Sequence, residues 1–195
     1  MYKVPLKKIT VTPNGWQHML SITPSSQDIV EKFGLYPGKF TLSLSTVAPN
    51  KNLKWILDAA KKNPDITFAI AGSLNPTRFG INLDVKNLGN IKFLGYISDS
   101  DFVTLAKNCQ AFIFPSFYEG FGLPPLEALS VGAPIVVSDI PVMHEIFGAS
   151  VCYVNPFCYD FDFSKIRKQM DIDNGSILSK YNWKVTAKEL LRWTM

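Results

Sequence analysis

Two glutamates eight positions apart, Glu119 and Glu127, enclose the segment Gly120-Phe121-Gly122-Leu123-Pro124-Pro125-Leu126. A carboxylate accepts hydrogen bonds from two vicinal hydroxyls, each worth about 1.5–3 kcal/mol because one partner is charged. Sugars and ribose present such diols. The two glycines let the main chain pass close to a ligand and take angles that other residues avoid. Pro124 or Pro125 suits the first turn of a helix, where a missing N–H costs nothing. The N–H groups of Gly122, Leu123 and their neighbours, with the helix dipole behind them, then form an anion site that a diphosphate would fit. If the loop folds back, the two carboxylates flank one elongated ligand. Glu127 taken singly has a simpler explanation, because a glutamate in the first turn of a helix is favoured by the dipole. Its pairing with Glu119 around a glycine-rich loop weighs against that.

The rest of the chain must hold this loop at the end of a strand. Strand-length apolar runs occur at residues 9–12, 40–47, 66–72, 91–94, 111–115, 134–138 and 151–154. Helical patterns lie between or after them, at 53–62, 99–107, 124–131, 142–147, 163–170 and 183–193. Pro13-Asn14-Gly15 ends the first run as a turn, Asp99 is the expected helix cap, and Asn75-Pro76 with Gly80 reads as loop. Trp183 and Trp193 are expected to dock the last helix, and Phe112, Phe114, Phe117 and Phe121 to serve packing. Strands apolar on both faces, alternating with helices, indicate an α/β fold: a Rossmann-like doubly wound parallel sheet of about six strands. Residues 1–195 read as one domain, with no internal repeat or linker.

Composition agrees. The chain is 47% hydrophobic and 18% charged, enough to bury a core and unlike a disordered segment. The net charge of +4 comes from scattered lysines and arginines, which argues against a nucleic-acid partner, since such a binder gathers its charge on one face. Cys109, Cys152 and Cys158 are an odd count without metal-type spacing; Cys109 and Cys152, in or beside apolar runs, are expected to pack in the core, and a reducing compartment is implied. With no apolar run of membrane-helix length and no signal-peptide pattern, a cytoplasmic protein is expected. Two histidines leave little for histidine-based metal or triad chemistry.

Two familiar fingerprints fail. Gly34-Leu35-Tyr36-Pro37-Gly38-Lys39 is one residue short of a P-loop, and Phe40 stands where Ser or Thr is required. Gly120-Phe121-Gly122 starts like a dinucleotide fingerprint, but Pro125 occupies the third glycine position.

The stretch EGFGLPPLEALSVGAPIVVSDIPVMHEIFG resembles the signature of the family 4 (group 1) glycosyltransferases, which have the GT-B fold. ITVTPNGWQHM, STVAPNKNL and IKFLGYISDSDFVTLAKNCQAFIFPSFYEG resemble the family's upstream segments in order, so the likeness covers nearly the whole chain.

The resemblance implies that this is the C-terminal, donor-binding half of a GT-B enzyme. Residues 1–8 would be a remnant of the interdomain linker, and the chain would be either a domain excised from its N-terminal acceptor half or a natural half that needs that domain from a partner chain. The implied reaction is retaining transfer of a hexose-type sugar from a UDP-, GDP- or dTDP-linked donor to a glycan or lipid-linked acceptor. It needs no cofactor and no metal. Glu127 would bind the ribose hydroxyls, Glu119 the donor sugar, and the backbone of Gly120, Phe121, Gly122 and Leu123 the sugar and diphosphate. Lys51 matches the family's diphosphate-binding lysine; Glu119 and Lys51 would carry the chemistry. Many members have Arg where this chain has Thr46, so the grip on phosphate would be reduced there. The base would lie near Gly72, Ser73, Tyr96 and Ile97, with Tyr96 either stacking on it or packing at the rim. His144 and Glu145 would lie near the donor cleft, and the lysines permit contact with the cytoplasmic face of a membrane. Two alternatives remain: an epimerase-like or phosphorylase-like GT-B protein, and a non-catalytic nucleotide-binding or interaction domain.

Overall fold

The computed structural model describes residues 4–45, 48–72, 88–164, 166 and 174–194. Six strands form one sheet: β1 (Phe40–Leu44), β2 (Thr67–Ala71), β3 (Ile91–Gly95), β4 (Ala111–Phe114), β5 (Ile135–Ser138) and β6 (Cys152–Val154). Their order is β3-β2-β1-β4-β5-β6, and every neighbouring pair is parallel. The helices are α1 (Asp28–Lys32), α2 (Leu53–Lys62), α3 (Asp99–Asn108), α4 (Leu123–Ser130), α5 (Pro141–Phe147), α6 (Gly175–Lys180) and α7 (Trp183–Thr194).

The two-residue period of the strands sorts their side chains onto two cores. Phe40, Leu42, Phe112, Phe114, Ile135 and Val137 face one way, against Phe102 and Leu105 of α3, Leu126 of α4, and Met143 and Phe147 of α5. Phe68, Ile70, Ile113, Val136 and Val154 face the other way, against Leu53, Ile56 and Ala60 of α2. Burial on both faces is why these strands read as unbroken apolar runs.

The order of strands places the site. The chain builds outward from β1 through β2 to β3, then returns to lay β4 on the other side of β1. The pairs Thr41–Ala111 and Leu42–Phe112 mark that seam. Crossovers leaving two adjacent strands in opposite directions open a crevice at their carboxyl ends, the usual ligand position in such sheets.

Three expectations need correction. Residues 9–12 are no strand: they follow a 3-10 turn at Leu6–Lys8, and Ile9 and Val11 face solvent instead of a sheet. Ser98, rather than Asp99, caps α3. The Ser98 hydroxyl accepts from the Asp101 N–H at 3.1 Å, and the Asp101 carboxylate accepts from the Ser98 N–H at 3.4 Å, a reciprocal capping box. Trp193 is half exposed and anchors α7 less than Trp183 does. Short α1, α6 and a 3-10 turn at Gln17–Ser21 went unforeseen, being too brief to show a period. Asn75, Pro76, Gly80 and most of 163–170 lie outside the described residues.

Candidate functional site

The loop after β1 winds into a 3-10 turn at Pro49–Lys51, and Asn52 joins it to α2. Asn52 is left-handed (φ 51°, ψ 46°), a conformation that asparagine tolerates better than most residues. Its buried amide donates to the carbonyls of Pro115 at 2.9 Å and Pro156 at 2.7 Å, lashing this loop to those after β4 and β6. The Phe117 N–H donates to the Asn50 carbonyl at 2.9 Å. Lys51 is thereby carried across the seam. Its Nζ lies 2.8 Å from Glu119 Oε1 and 4.8 Å from the centre of the Phe114 ring.

Gly122 caps α4 at φ 104°, ψ 47°, a region closed to most side chains; a Cβ there would stand 3.1 Å from Met143 Cε. Gly120 has an ordinary φ and open space around it, so only one of the two glycines is required by backbone angle. Pro124 and Pro125 follow Leu123 at the helix start, leaving the Leu123 N–H as the only donor of the first three helical positions. An anion bound here would therefore have that N–H, the preceding loop and Lys51 to meet it.

Glu127 is the fifth residue of α4, in the second turn rather than the first, where the dipole has largely faded. Its Oε1 lies 2.9 Å from His18 Nε2, and burial holds its carboxyl above the usual glutamate range, opposed by His18 and reinforced by the Asp99 charge. The Trp183 indole N–H reaches His18 Nδ1 at 3.2 Å. Beside the pair opens a cavity of about 150 Å³, lined by Met19, Ile22, Leu44, Ile97 and Phe102 with His18, Asp99 and Glu127. Ile97 is where the sequence placed a base-binding residue. His18 and Asp99 were missed as site residues. Asp99 drew attention only as a cap, although it stands two positions after Ile97; for His18 the composition argument against histidine chemistry pointed away from it.

Other expected site residues are placed as follows. Phe121 packs its side chain edge-on against Tyr181 (5.3 Å between centroids). Tyr96 is 90% exposed, so it does not pack at the rim. Gly72 takes φ 123°, and a Cβ there would fall 2.1 Å from the Ser45 carbonyl oxygen, so close approach of the β1 and β2 ends demands glycine. Thr46 and Ser73 lie outside the described residues. His144 pairs with Asp139 at 2.6 Å and stacks on Tyr153, while Glu145 is exposed on the same helix, α5. Cys109 and Cys152 are buried, and burial pushes the Cys109 thiol up to about 12. Among the described residues, no cluster of three or more His, Cys, Asp or Glu is disposed to hold a metal, and no helix is long and apolar enough to cross a membrane.

Residues 25–162 match the family described as glycosyl transferases group 1. The chain is 31% identical over 155 residues to the serotype-specific mannosyltransferase WbdA of Escherichia coli, covering 74% of this chain and 18% of that protein. It is 29% identical over 169 residues to O-antigen chain mannosyltransferase B of Escherichia coli, covering 83% of this chain and 44% of that one. In fold it resembles HepE of Anabaena, solved with UDP and glucose, at TM-score 0.77 and 18% identity over 98% of this chain and 58% of that chain. Sucrose-phosphate synthase of Thermosynechococcus elongatus superposes at TM-score 0.76 and 18% identity, over 95% of this chain and 51% of the other. The chain thus spans less than two thirds of the length of each of these proteins.

Proposed function

The chain belongs to the group 1 glycosyl transferases, and from that premise we propose that it binds the donor in retaining transfer of a hexose from a nucleoside diphosphate sugar. The observation that carries this reading is the meeting of Lys51, Glu119 and the start of α4 at the β1–β4 seam, with Glu127 bordering a separate cavity on the same helix. One end takes diphosphate and sugar, the other the nucleoside.

In this reading the diphosphate lies against the Leu123 N–H and the Lys51 ammonium, which oppose the charge that grows as the bond from sugar C1 to phosphate oxygen breaks. Glu119 orients the sugar hydroxyls. The acceptor hydroxyl attacks C1 from the face that the diphosphate leaves and passes its proton to the departing phosphate oxygen, so configuration is kept. Lys51 supplies the cation for this step. The acceptor, a glycan or lipid-linked chain of surface-polysaccharide type, is held by a second domain, in line with the longer relatives. Closure of the two domains completes the site.

The cavity also favours one base. Ile22, Leu44, Ile97 and Phe102 give apolar walls for a planar ring, and Asp99 adds a carboxylate. Guanine offers two adjacent donors, N1–H and the N2 amino group, that a carboxylate accepts together. Uracil offers one N–H between two carbonyl oxygens that the carboxylate would repel. The donor in this proposal is GDP-linked.

A thermal-shift panel of GDP, UDP and dTDP with their hexose conjugates tests both statements. A ligand at 100 times its dissociation constant stabilises by about 2.7 kcal/mol, a readable shift. The expected result is a larger shift with GDP than with UDP, a smaller difference in Asp99→Asn, and loss of shift in Glu127→Ala. No shift with any nucleotide, or full shifts in Glu127→Ala, would overturn the donor-site reading. Full UDP shifts without GDP shifts would overturn the base assignment.

A further inference from the structure

The geometry points to His18 as a positioning residue for Glu127, held in one tautomer by Trp183 so that the carboxylate is oriented for the ribose diol. This rests on the donor-site reading above. An indole N–H can only donate, so the 3.2 Å contact from Trp183 Nε1 makes His18 Nδ1 an acceptor. The proton of the neutral ring then sits on Nε2, 2.9 Å from Glu127 Oε1, where it donates. A doubly protonated ring would turn an N–H toward the indole N–H. One carboxylate oxygen is thereby occupied, which fixes the plane of the carboxylate and presents the other oxygen to the cavity.

The arrangement joins three distant parts of the chain: the turn at Gln17–Ser21, helix α4 and the first residue of α7. It is held from several sides. The Trp183 backbone N–H donates to Gln17 Oε1 at 2.9 Å, and the Trp16 indole donates to the Leu178 carbonyl at 2.8 Å. At Gly15 an added Cβ would fall 2.4 Å from the Trp183 backbone nitrogen and 2.8 Å from its ring Cγ. Only glycine lets Trp183 come this close to the turn that carries His18. The contact links polar groups in an ordered chain of donors and acceptors, Trp183 to His18 to Glu127, that ends at the nucleoside cavity. A histidine present only for packing would not require both ring nitrogens to be matched.

The experiment is calorimetric titration of the 195-residue chain and its variants with GDP and with 2′,3′-dideoxy-GDP, which lacks the diol. The wild type is expected to prefer GDP by about tenfold or more, the scale of hydrogen bonds to a charged group. His18→Ala should lower that preference to about threefold or less by weakening GDP while leaving the dideoxy nucleotide unchanged. His18→Gln, whose amide both accepts and donates, should keep most of the preference. The imidazole ¹⁵N shifts of His18 should show the proton on Nε2, and Trp183→Phe should blur that pattern. Equal weakening of both nucleotides by His18→Ala, unchanged preference in it, or a proton on Nδ1 would overturn the inference. A wild type that binds GDP and its dideoxy form alike, or neither, would overturn the donor-site reading itself and the inference with it.

Discussion

Lys51 Nζ stands 2.8 Å from Glu119 Oε1 although the two residues are 68 positions apart and leave from different loops. The adjacency of β1 and β4 accounts for it, because their following loops share one crevice. Both side chains are largely withdrawn from solvent, at 26% and 13% exposure, so the pair is screened less than a surface ion pair. An ammonium has three donors. Glu119 takes one and the Phe114 ring supports the charge from below; in the proposed reading the others meet phosphate oxygens.

Lys51→Met should therefore weaken GDP by about 10–100-fold, the range for a charged hydrogen bond, while guanosine without phosphates binds as before. Calorimetric titration with both ligands distinguishes a phosphate contact from a collapse of the loop. Equal losses for guanosine and GDP would mean that Lys51 acts only by holding Glu119 and the loop in place.

Asn52 holds that loop through two buried hydrogen bonds and a left-handed backbone. Asn52→Ala removes both donors, leaves two carbonyls short of a partner and puts alanine where it is strained, so a loss of about 2–4 kcal/mol is expected in urea denaturation. Asn52→Gly loses the same bonds without the strain and should be milder by about 1 kcal/mol. Equal midpoints for the two variants would show that the backbone angle contributes nothing.

The two glycines of the loop should behave differently. Gly122→Ala combines φ 104° with a Cβ at 3.1–3.2 Å from the Met143 thioether, and should cost about 1–3 kcal/mol while distorting the start of α4. Gly120→Ala meets nothing within 4 Å at an ordinary φ, so its unfolding midpoint should match the wild type. The pair is read from denaturant midpoints and from GDP affinity side by side.

The sequence made the sheet legible because most of its strands are buried on both faces, and their apolar runs stop within one to three residues of the observed ends. It also placed Glu119, Gly122 and Lys51 on their loops and Glu127 on its helix, though in the first turn and not the second. Chain order across the seam was harder, since nothing local says that β4 returns beside β1. The errors have physical causes. Residues 9–12 alternate like a strand, but four residues of alternation do not by themselves secure a pairing partner. Ser98 and Asp99 both suit a cap, and the choice lay with Asp101, whose carboxylate closes the box. His18 could not be assigned, because its partners Glu127 and Trp183 are 109 and 165 positions away.

Glu127 sets stability against binding. Burial holds its carboxyl above the usual range, so the folded protein keeps this proton to higher pH than the unfolded chain does. The stability this gives is complete below the ordinary glutamate value of about 4.3 and is lost as pH rises through the raised one. Above that window the ionised side chain sits in surroundings that disfavour its charge, with Asp99 adding repulsion and His18 offsetting part of it. Glu127→Gln removes the charge, keeps an oxygen for His18 Nε2–H and fills the same space. It should raise the urea midpoint at pH 7 and leave it unchanged below about pH 4, where both side chains are neutral. The same variant should bind GDP more weakly, because a neutral amide oxygen is a poorer acceptor for a diol than a carboxylate. A protein that becomes more stable and binds less well is the signature of a charge kept for its ligand. A lower midpoint at pH 7, or unchanged GDP affinity, would show that the carboxylate serves the fold and not the nucleoside.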